Sequence, residues 1–467
     1  VCPFMKKLIT FLLAVFLAGI AKPQSQDSLY RFSLKQAIDF ALQNQKDVLN
    51  AQLDAEISEA QVKEIVGIGL PQLNGSIDVK DFEKIPTQFL PDFISPSVYN
   101  ILFDENVLPR KDLNQSGVFP VQFGTRWNAT AGLTASQLLF DPTYLLGVKA
   151  TKTIRELSLK NVKRTRIETA VNVTKAYYNV LLLQERKKVI ASNVERIQKL
   201  KEDTKALYDN GFVEKLDLDR VTVLYNNITT ENTKFDRLLT LSSQVLLYQL
   251  GANTASRVEL TDSLNAGEIK NTTIPLEKTD ITKRVEYSIL KTQEKLQTYN
   301  VKRYQVGYYP NLVAYGNLST TAQRNKFDFT DPDQKWYPTG IIGATLNVPI
   351  FDGFQKSAKI KQQKLALRKI KNELVNFEQA IGIDITSNRN ALIDALNSLD
   401  AQDQNLTLAN DIYKVSKIKY DQGVGSNLEV LDAETSLKEA QANYFNALYD
   451  ATIARINLDK ALGNLNY

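Results

Sequence analysis

Polar and apolar positions along the chain change period several times, and the changes come in the same order twice. SLKQAIDFALQNQ, from residue 33, puts Leu34, Ala37, Ile38, Ala41 and Leu42 on one helical face, with Ser33 as a natural N-cap. TDITKRVEYSILKTQEKLQTYN, from residue 279, takes that place in the second half, less cleanly. Both predicted helices run to a proline, Pro71 or Pro310, after which extended chain is expected.

The period then becomes two. In WNATAGLTASQLLF, Trp127, Ala129, Ala131, Leu133 and Ala135 alternate with Asn128, Thr130, Gly132, Thr134 and Ser136. In GIIGATLNVPIF, Ile342, Ala344, Leu346, Val348 and Ile350 alternate with Gly343, Thr345 and Asn347, while Ile341 is out of phase. This predicts strands near 127–140 and 340–351, with partners near 72–80 and 311–320 whose alternation is weaker. Two readings stand: an amphipathic hairpin on a soluble core, or membrane strands with one lipid face and one wet face. Ten residues at about 3.3 Å each cross a bilayer even when tilted.

Long helical patterns follow, near 143–208 and 214–250, then 355–420 and 427–462. The longer two, about 66 residues each, reach about 100 Å at 1.5 Å per residue, which no globular core requires. The last carries Val430, Ala433, Leu437, Ala440, Tyr444, Ala447, Ala451, Ala454, Leu458 and Ala461, spaced three and four in strict alternation. The corresponding seam of the first half, Leu218, Val221, Tyr225, Ile228, Asn232, Phe235 and Leu239, is bulkier and interrupted by Asn232. Gly251 and Gly463 are placed to close these helices. Four long, mostly polar helices suit a wall one helix thick, wet on both sides.

The same order of elements marks a two-copy repeat. YDNGFVEKLDLDRVT (208–222) answers YDQGVGSNLEVLDAE (420–434), LPQL answers YPNL, and LLFDP answers PIFDG. The expected organisation is a first repeat over 26–251, a linker over 252–280 and a second repeat over 281–467. The strand connection of the first half is longer and contains IPTQFLPDFISPSVYNILFDENVLP (85–109), which is assigned to an extracellular loop.

Composition narrows the chemistry. The 467 residues are 43% apolar and 23% charged, with a net charge of +5 and no basic cluster with interleaved aromatics, so nucleic-acid binding is not expected. There is no histidine, and the single cysteine is Cys2, which removes the common zinc ligands, nucleophile and general base. No phosphate loop, nucleotide fingerprint or nucleophile elbow occurs. An enzyme is not expected, nor a cofactor or metal. MKKLITFLLAVFLAGIAKPQSQ reads as a secretory signal, so residues 1–25 are assigned to it and its upstream extension. The remaining chain holds no cysteine to form a disulfide and no stretch of ~20 apolar residues, which leaves a closed β-barrel as a route across a bilayer.

From about Phe32 onward the chain resembles the TolC family of outer-membrane efflux proteins. The most specific pieces are FSLKQAIDFALQNQKDV, VPIFDGFQ and YDQGVGSNLEVLDAETSLKEAQANYFNALYDATIARINLDKALG. The resemblance implies an α+β membrane protein, a homotrimer whose β-barrel takes four strands from each chain and continues into a periplasmic α-barrel. An equatorial belt would include 252–280 and both chain ends. The implied partners are a periplasmic adaptor, an inner-membrane pump and outer-membrane lipid.

The resemblance also assigns residues. Gly211 and Gly423 become the turns of two hairpin tips, free to take positive φ. Phe212 and Val213 with Gly211, and Val424, Gly425 and Ser426 with Gly423, become adaptor contacts, although each set also serves simply as a turn. Asp217, Glu429 and Asp432 match acidic positions lining a closed periplasmic mouth, where three copies would attract cations. SNLE (426–429) is equally a capping box, and an acidic residue near a helix N-terminus needs no gate. Tyr420 matches a tyrosine linking neighbouring hairpins, with Tyr208 as its packing counterpart. Gly425 stands where the family has a gate arginine, which removes the charged latch.

Two other classes compete. A soluble coiled-coil adaptor would carry one hairpin and lipoyl-like half-motifs without four amphipathic strands. A carboxylate-dependent hydrolase would show a compact α/β pattern.

Overall fold

A computed structural model describes residues 29–91, 94–112, 118–263, 266–271, 280–465 and 467. The predicted signal segment and residues 264–265 and 272–279 of the linker lie outside the described residues. The chain divides into two compact units, one of residues 1–59, 153–295 and 367–467, the other of 60–152 and 296–366.

The first unit opens with β1 (Leu29–Phe32) and α1 (Leu34–Asn44). Ser33 starts α1 through a reciprocal box: its hydroxyl accepts from the Gln36 amide at 3.4 Å, while the Gln36 side chain accepts from the Ser33 amide at 2.9 Å. Sequence periodicity carries this helix to Pro71, but Gln45 is extended and a second helix, α2 (Lys46–Gly67), begins after it. The break has a tertiary cause. A Cβ on Gly251 would lie 2.5 Å from the Asn44 carbonyl oxygen, so another helix end abuts the chain here. The Gln45 side chain then accepts from the Asp47 amide and starts α2.

Two long helical hairpins form most of this unit. α4 (Pro142–Asp209) pairs with α5 (Lys215–Leu250), and α8 (Gln355–Asp421) with α9 (Asn427–Leu462). α4 and α8 enter the unit at Thr153 and Leu367. Of the α9 seam, every residue except the half-buried Tyr444 is buried. In the α5 seam Val221, Ile228 and Phe235 are buried and the rest half-buried. Ile190 and Ile197 of α4 close on Ile228 and Phe235, while Ile381, Ile385 and Leu392 of α8 close on Ala454 and Leu458. Near the turns, Leu200, Val221, Tyr413 and Val430 bring all four helices into one cluster. Gly251 and Gly463 end α5 and α9 with φ of 73° and 71°, the left-handed conformation that glycine adopts without strain. Within the described residues of the linker, β6 (Arg257–Leu260) pairs in parallel with β1, and α6 (Ala266–Lys270) follows.

The second unit contains a four-stranded antiparallel sheet in the order β2 (Gln72–Asp81), β5 (Trp127–Phe140), β7 (Asn311–Arg324), β8 (Tyr337–Asn347). β7 follows α7 (Val285–Val306), which starts in the first unit. β7 runs beyond 320 because it stays paired with β5 as far as Arg324 opposite Trp127. β8 lies earlier than 340–351: Pro349 has no amide hydrogen to donate, and at the other end Pro338 is tolerated because β8 is an edge. The 85–109 insertion holds α3 (Ile94–Asp104) and β3 (Thr87–Pro91), which pairs with β4 (Val118–Gln122).

Candidate functional site

The two helix turns close with matching hydrogen bonds. At the first, Gly211 donates to the Tyr208 carbonyl and Phe212 to that of Leu207, each at 2.9 Å. At the second, Gly423 donates to Tyr420 at 2.9 Å and Val424 to Lys419 at 3.0 Å. Gly211 and Gly423 have φ of 75° and 72° with open space around them, so backbone conformation alone asks for glycine. Gly425 differs. Its φ is not positive, and a Cβ there would lie 3.0 Å from both the Lys419 Cβ and the Tyr420 amide nitrogen. A side chain at 425 would therefore press on the end of α8, which would have to give by a few tenths of an ångström.

Phe212 and Val424 project from the turns, 78% and 77% exposed. Between the two turns a cleft of about 690 Å³ is bordered by Asp203, Asn210, Phe212, Val213, Tyr420 and Gly425. The turns also touch directly: the Asn427 side chain donates to the Asp217 carbonyl at 3.2 Å. Asp217 has Arg220 at 3.8 Å on its own helix, whereas Glu429 and Asp432 are exposed. The serine half of the predicted capping box is formed, Ser426 accepting from the Glu429 amide at 3.2 Å. That bond uses the Glu429 backbone and leaves its carboxylate at the surface.

Tyr420 has a buried hydroxyl with no hydrogen-bond partner among the described residues. Its ring lies 5.4 Å from the Lys417 ammonium, which reaches Asp421 at 2.6 Å and Asp203 of α4 at 3.9 Å. Sequence reasoning passed over Lys417 and a larger polar cluster deeper between the hairpins. There Arg196 of α4 binds Glu434 of α9 through two hydrogen bonds, 2.6 and 3.0 Å, with the Tyr413 ring 4.8 Å away. Glu434 is buried beside Val430, Ala433 and Leu437. A carboxylate beside an apolar seam is the signal that could have found it.

The sheet has a second functional character. Register places Leu73, Ile77 and Val79 of β2 in line with Ala135, Ala131 and Ala129 of β5, and Ile342 and Leu346 of β8 on the same side. Asn74, Ser76, Thr130, Thr134, Asn317 and Thr321 occupy the other side, where Asn317 donates to the Thr134 hydroxyl at 2.8 Å. Away from the covered Ala129 and Ala322 the apolar side is bare, with Ile77 81% and Ile342 93% exposed. At the sheet end away from the helix junctions, Trp127, Phe327, Phe329 and Trp336 meet in sequence through edge-on and tilted contacts, and Phe351 meets Phe354 beyond β8 at the other. Aromatic pairs above and below an apolar band are the pattern of a membrane-crossing sheet. Among the described residues no helix is long and apolar enough to cross a membrane.

The family model of outer membrane efflux proteins matches residues 291–464. Over those residues the chain is similar to the outer membrane efflux proteins, the family to which the curated relatives point as well. It is 21% identical to the outer membrane protein TolC of Vibrio cholerae over 344 residues, 72% of this chain and 77% of that protein. Against TolC of Escherichia coli K12 the identity is 24% over 364 residues, 73% and 71% of the two chains. The fold is similar to that of the outer membrane protein VceC of Vibrio cholerae, with a TM-score of 0.68, 15% identity and coverage of 92% and 96%. Each of these relatives is named as an outer membrane protein.

Proposed function

We propose that three copies of this chain form an exit duct through which a tripartite efflux or type I secretion system passes its cargo across the outer membrane. The observation that carries this reading is the open sheet. Among the described residues β2 and β8 each present an unpaired edge, one face is apolar and largely bare, and the other is polar. Free strand edges in a bilayer leave backbone groups without partners, each at a cost of several kcal/mol. Pairing β2 of one copy with β8 of the next removes both edges and gives a barrel of four strands per chain with its polar face inward.

The helical hairpins continue this duct as a periplasmic α-barrel, and the two halves of the chain are structural repeats of one strand-and-hairpin unit. Asp217, Glu429 and Asp432 line the closed mouth, and Tyr420 links neighbouring hairpins there. Gly211, Phe212 and Val213, with Gly423, Val424, Gly425 and Ser426, receive the periplasmic adaptor, which joins the duct to an inner-membrane pump. Exposure of Phe212 and Val424 supports that assignment.

Purified full-length protein reconstituted in planar lipid bilayers tests the reading. Discrete ion-conducting steps from a heat-modifiable trimer are expected, with block by divalent cations lost when Asp217, Glu429 and Asp432 are changed to alanine. A soluble monomer that inserts no channels would overturn it.

A further inference from the structure

We infer that Arg196, seated on Glu434 and Tyr413, is the clamp that holds the two hairpins of one chain together and sets how readily their tips part. This rests on the duct reading. Gly425 takes the place of the gate arginine implied by the resemblance, and a Cβ there would crowd Lys419 and Tyr420 at 3.0 Å, so closure in this chain depends on other groups. The guanidinium of Arg196 meets both Glu434 oxygens, Nη2 at 2.6 Å and Nε at 3.0 Å, and Nη2 also donates to Asn193 Oδ1 at 2.8 Å. Asn193 in turn donates to Gln441 of α9 at 2.7 Å. One α4 face thus carries two successive polar groups, and both bind α9. Tyr413 of α8 forms the third wall.

Full burial of the carboxylate distinguishes this cluster from the other ion pairs between the hairpins, Lys438–Glu231 and Lys417–Asp203. The Glu434 side chain is 2% exposed and that of Arg196 27%, whereas Lys417 and Asp203 are 3.9 Å apart with Asp203 47% exposed. Screened surface pairs contribute little, but parting a buried, two-pronged pair leaves a charge without its counterion in an apolar seam. Burial opposes the charge on Arg196, yet hydrogen bonds and charge from Glu434 raise its pKa above the ordinary value, so the guanidinium stays charged. Val430 and Leu437 lie one turn to either side of Glu434. Hinging the hairpins apart here would wet that seam together with the ion pair.

Single-channel recording on the full-length protein, with R196M, E434Q and the double variant, tests the clamp. Each single variant is expected to raise the open probability by about tenfold or more. The double variant should do no more than either, because both remove one interaction. Additive effects, or wild-type gating in correctly assembled variants, would overturn the clamp.

A second chain, N193C/Q441C, covers the case in which the charge variants do not assemble. Joining the two thiols with a short crosslinker should suppress spontaneous openings, and unchanged openings after complete crosslinking would contradict the proposal. A wild-type protein that forms no channel at all would instead count against the duct itself.

Discussion

α5 and α9 are both 36 residues long, follow matching glycine turns and end on a left-handed glycine, yet they pack differently. Sixteen residues of α9 are buried, against seven of α5. Alanine at Ala433, Ala440, Ala447, Ala451 and Ala454 lets neighbouring backbones come close, so α9 is enclosed by helices of its own chain. α5 instead leaves Leu238, Leu241, Val245 and Tyr248 exposed at spacings of three, four and three, and α8 leaves Leu408, Ile412 and Val415 exposed. Small seam residues mark the helix enclosed within a chain. In the proposed trimer, a second, bulky apolar stripe is where another copy would supply the other neighbour.

Leu437→Ala on α9 is expected to cost about 2–5 kcal/mol in urea unfolding of the detergent-extracted protein, as for other buried leucines cut to alanine. Leu241→Ala on α5 should change that stability by less than about 1 kcal/mol, yet weaken trimers in native mass spectrometry. Equal effects on unfolding would abolish the distinction between the helices.

The sheet allows a parallel contrast between faces. Ile342→Lys on the apolar side should cost about 2–4 kcal/mol if it lies near the bilayer midplane, and it should reduce assembly in the membrane fraction. Asn317→Lys, on the polar side, should assemble normally and shift ion selectivity. A reversed pattern would place lipid on the other face.

At the turns, Gly423→Ala should cost about 1–2 kcal/mol through left-handed strain alone. Gly251→Ala should cost more, because its Cβ also runs into Asn44. The smallest effect concerns pH. Burial, followed by the nearby Glu434, pushes the Tyr413 hydroxyl from near 10 up to about 12. The folded chain therefore holds this proton longer than the unfolded one. Its contribution is complete below pH 10 and is lost as pH rises towards 12. Tyr413→Phe should flatten that part of the alkaline stability profile.

Periodicity carries far along this chain because its elements are long and regular. The α9 seam and the alternation of β5 follow from side-chain spacing alone. What escaped the sequence depends on partners distant in the chain. The break at Gln45 comes from Gly251, the β1–β6 pair joins segments more than two hundred residues apart, and the end of β7 is set by Trp127. The turns were visible as glycine motifs, whereas Arg196 was hidden because its meaning lies in Glu434 and Tyr413, on two other helices.

Electron cryomicroscopy of the detergent-extracted protein tests the central claim most directly. The account predicts three copies around an open bore, with β2 of each chain hydrogen-bonded to β8 of the next and α5 of one copy against α8 of its neighbour. A single copy that pairs its own β2 with its own β8, leaving no continuous water-filled passage, would contradict it.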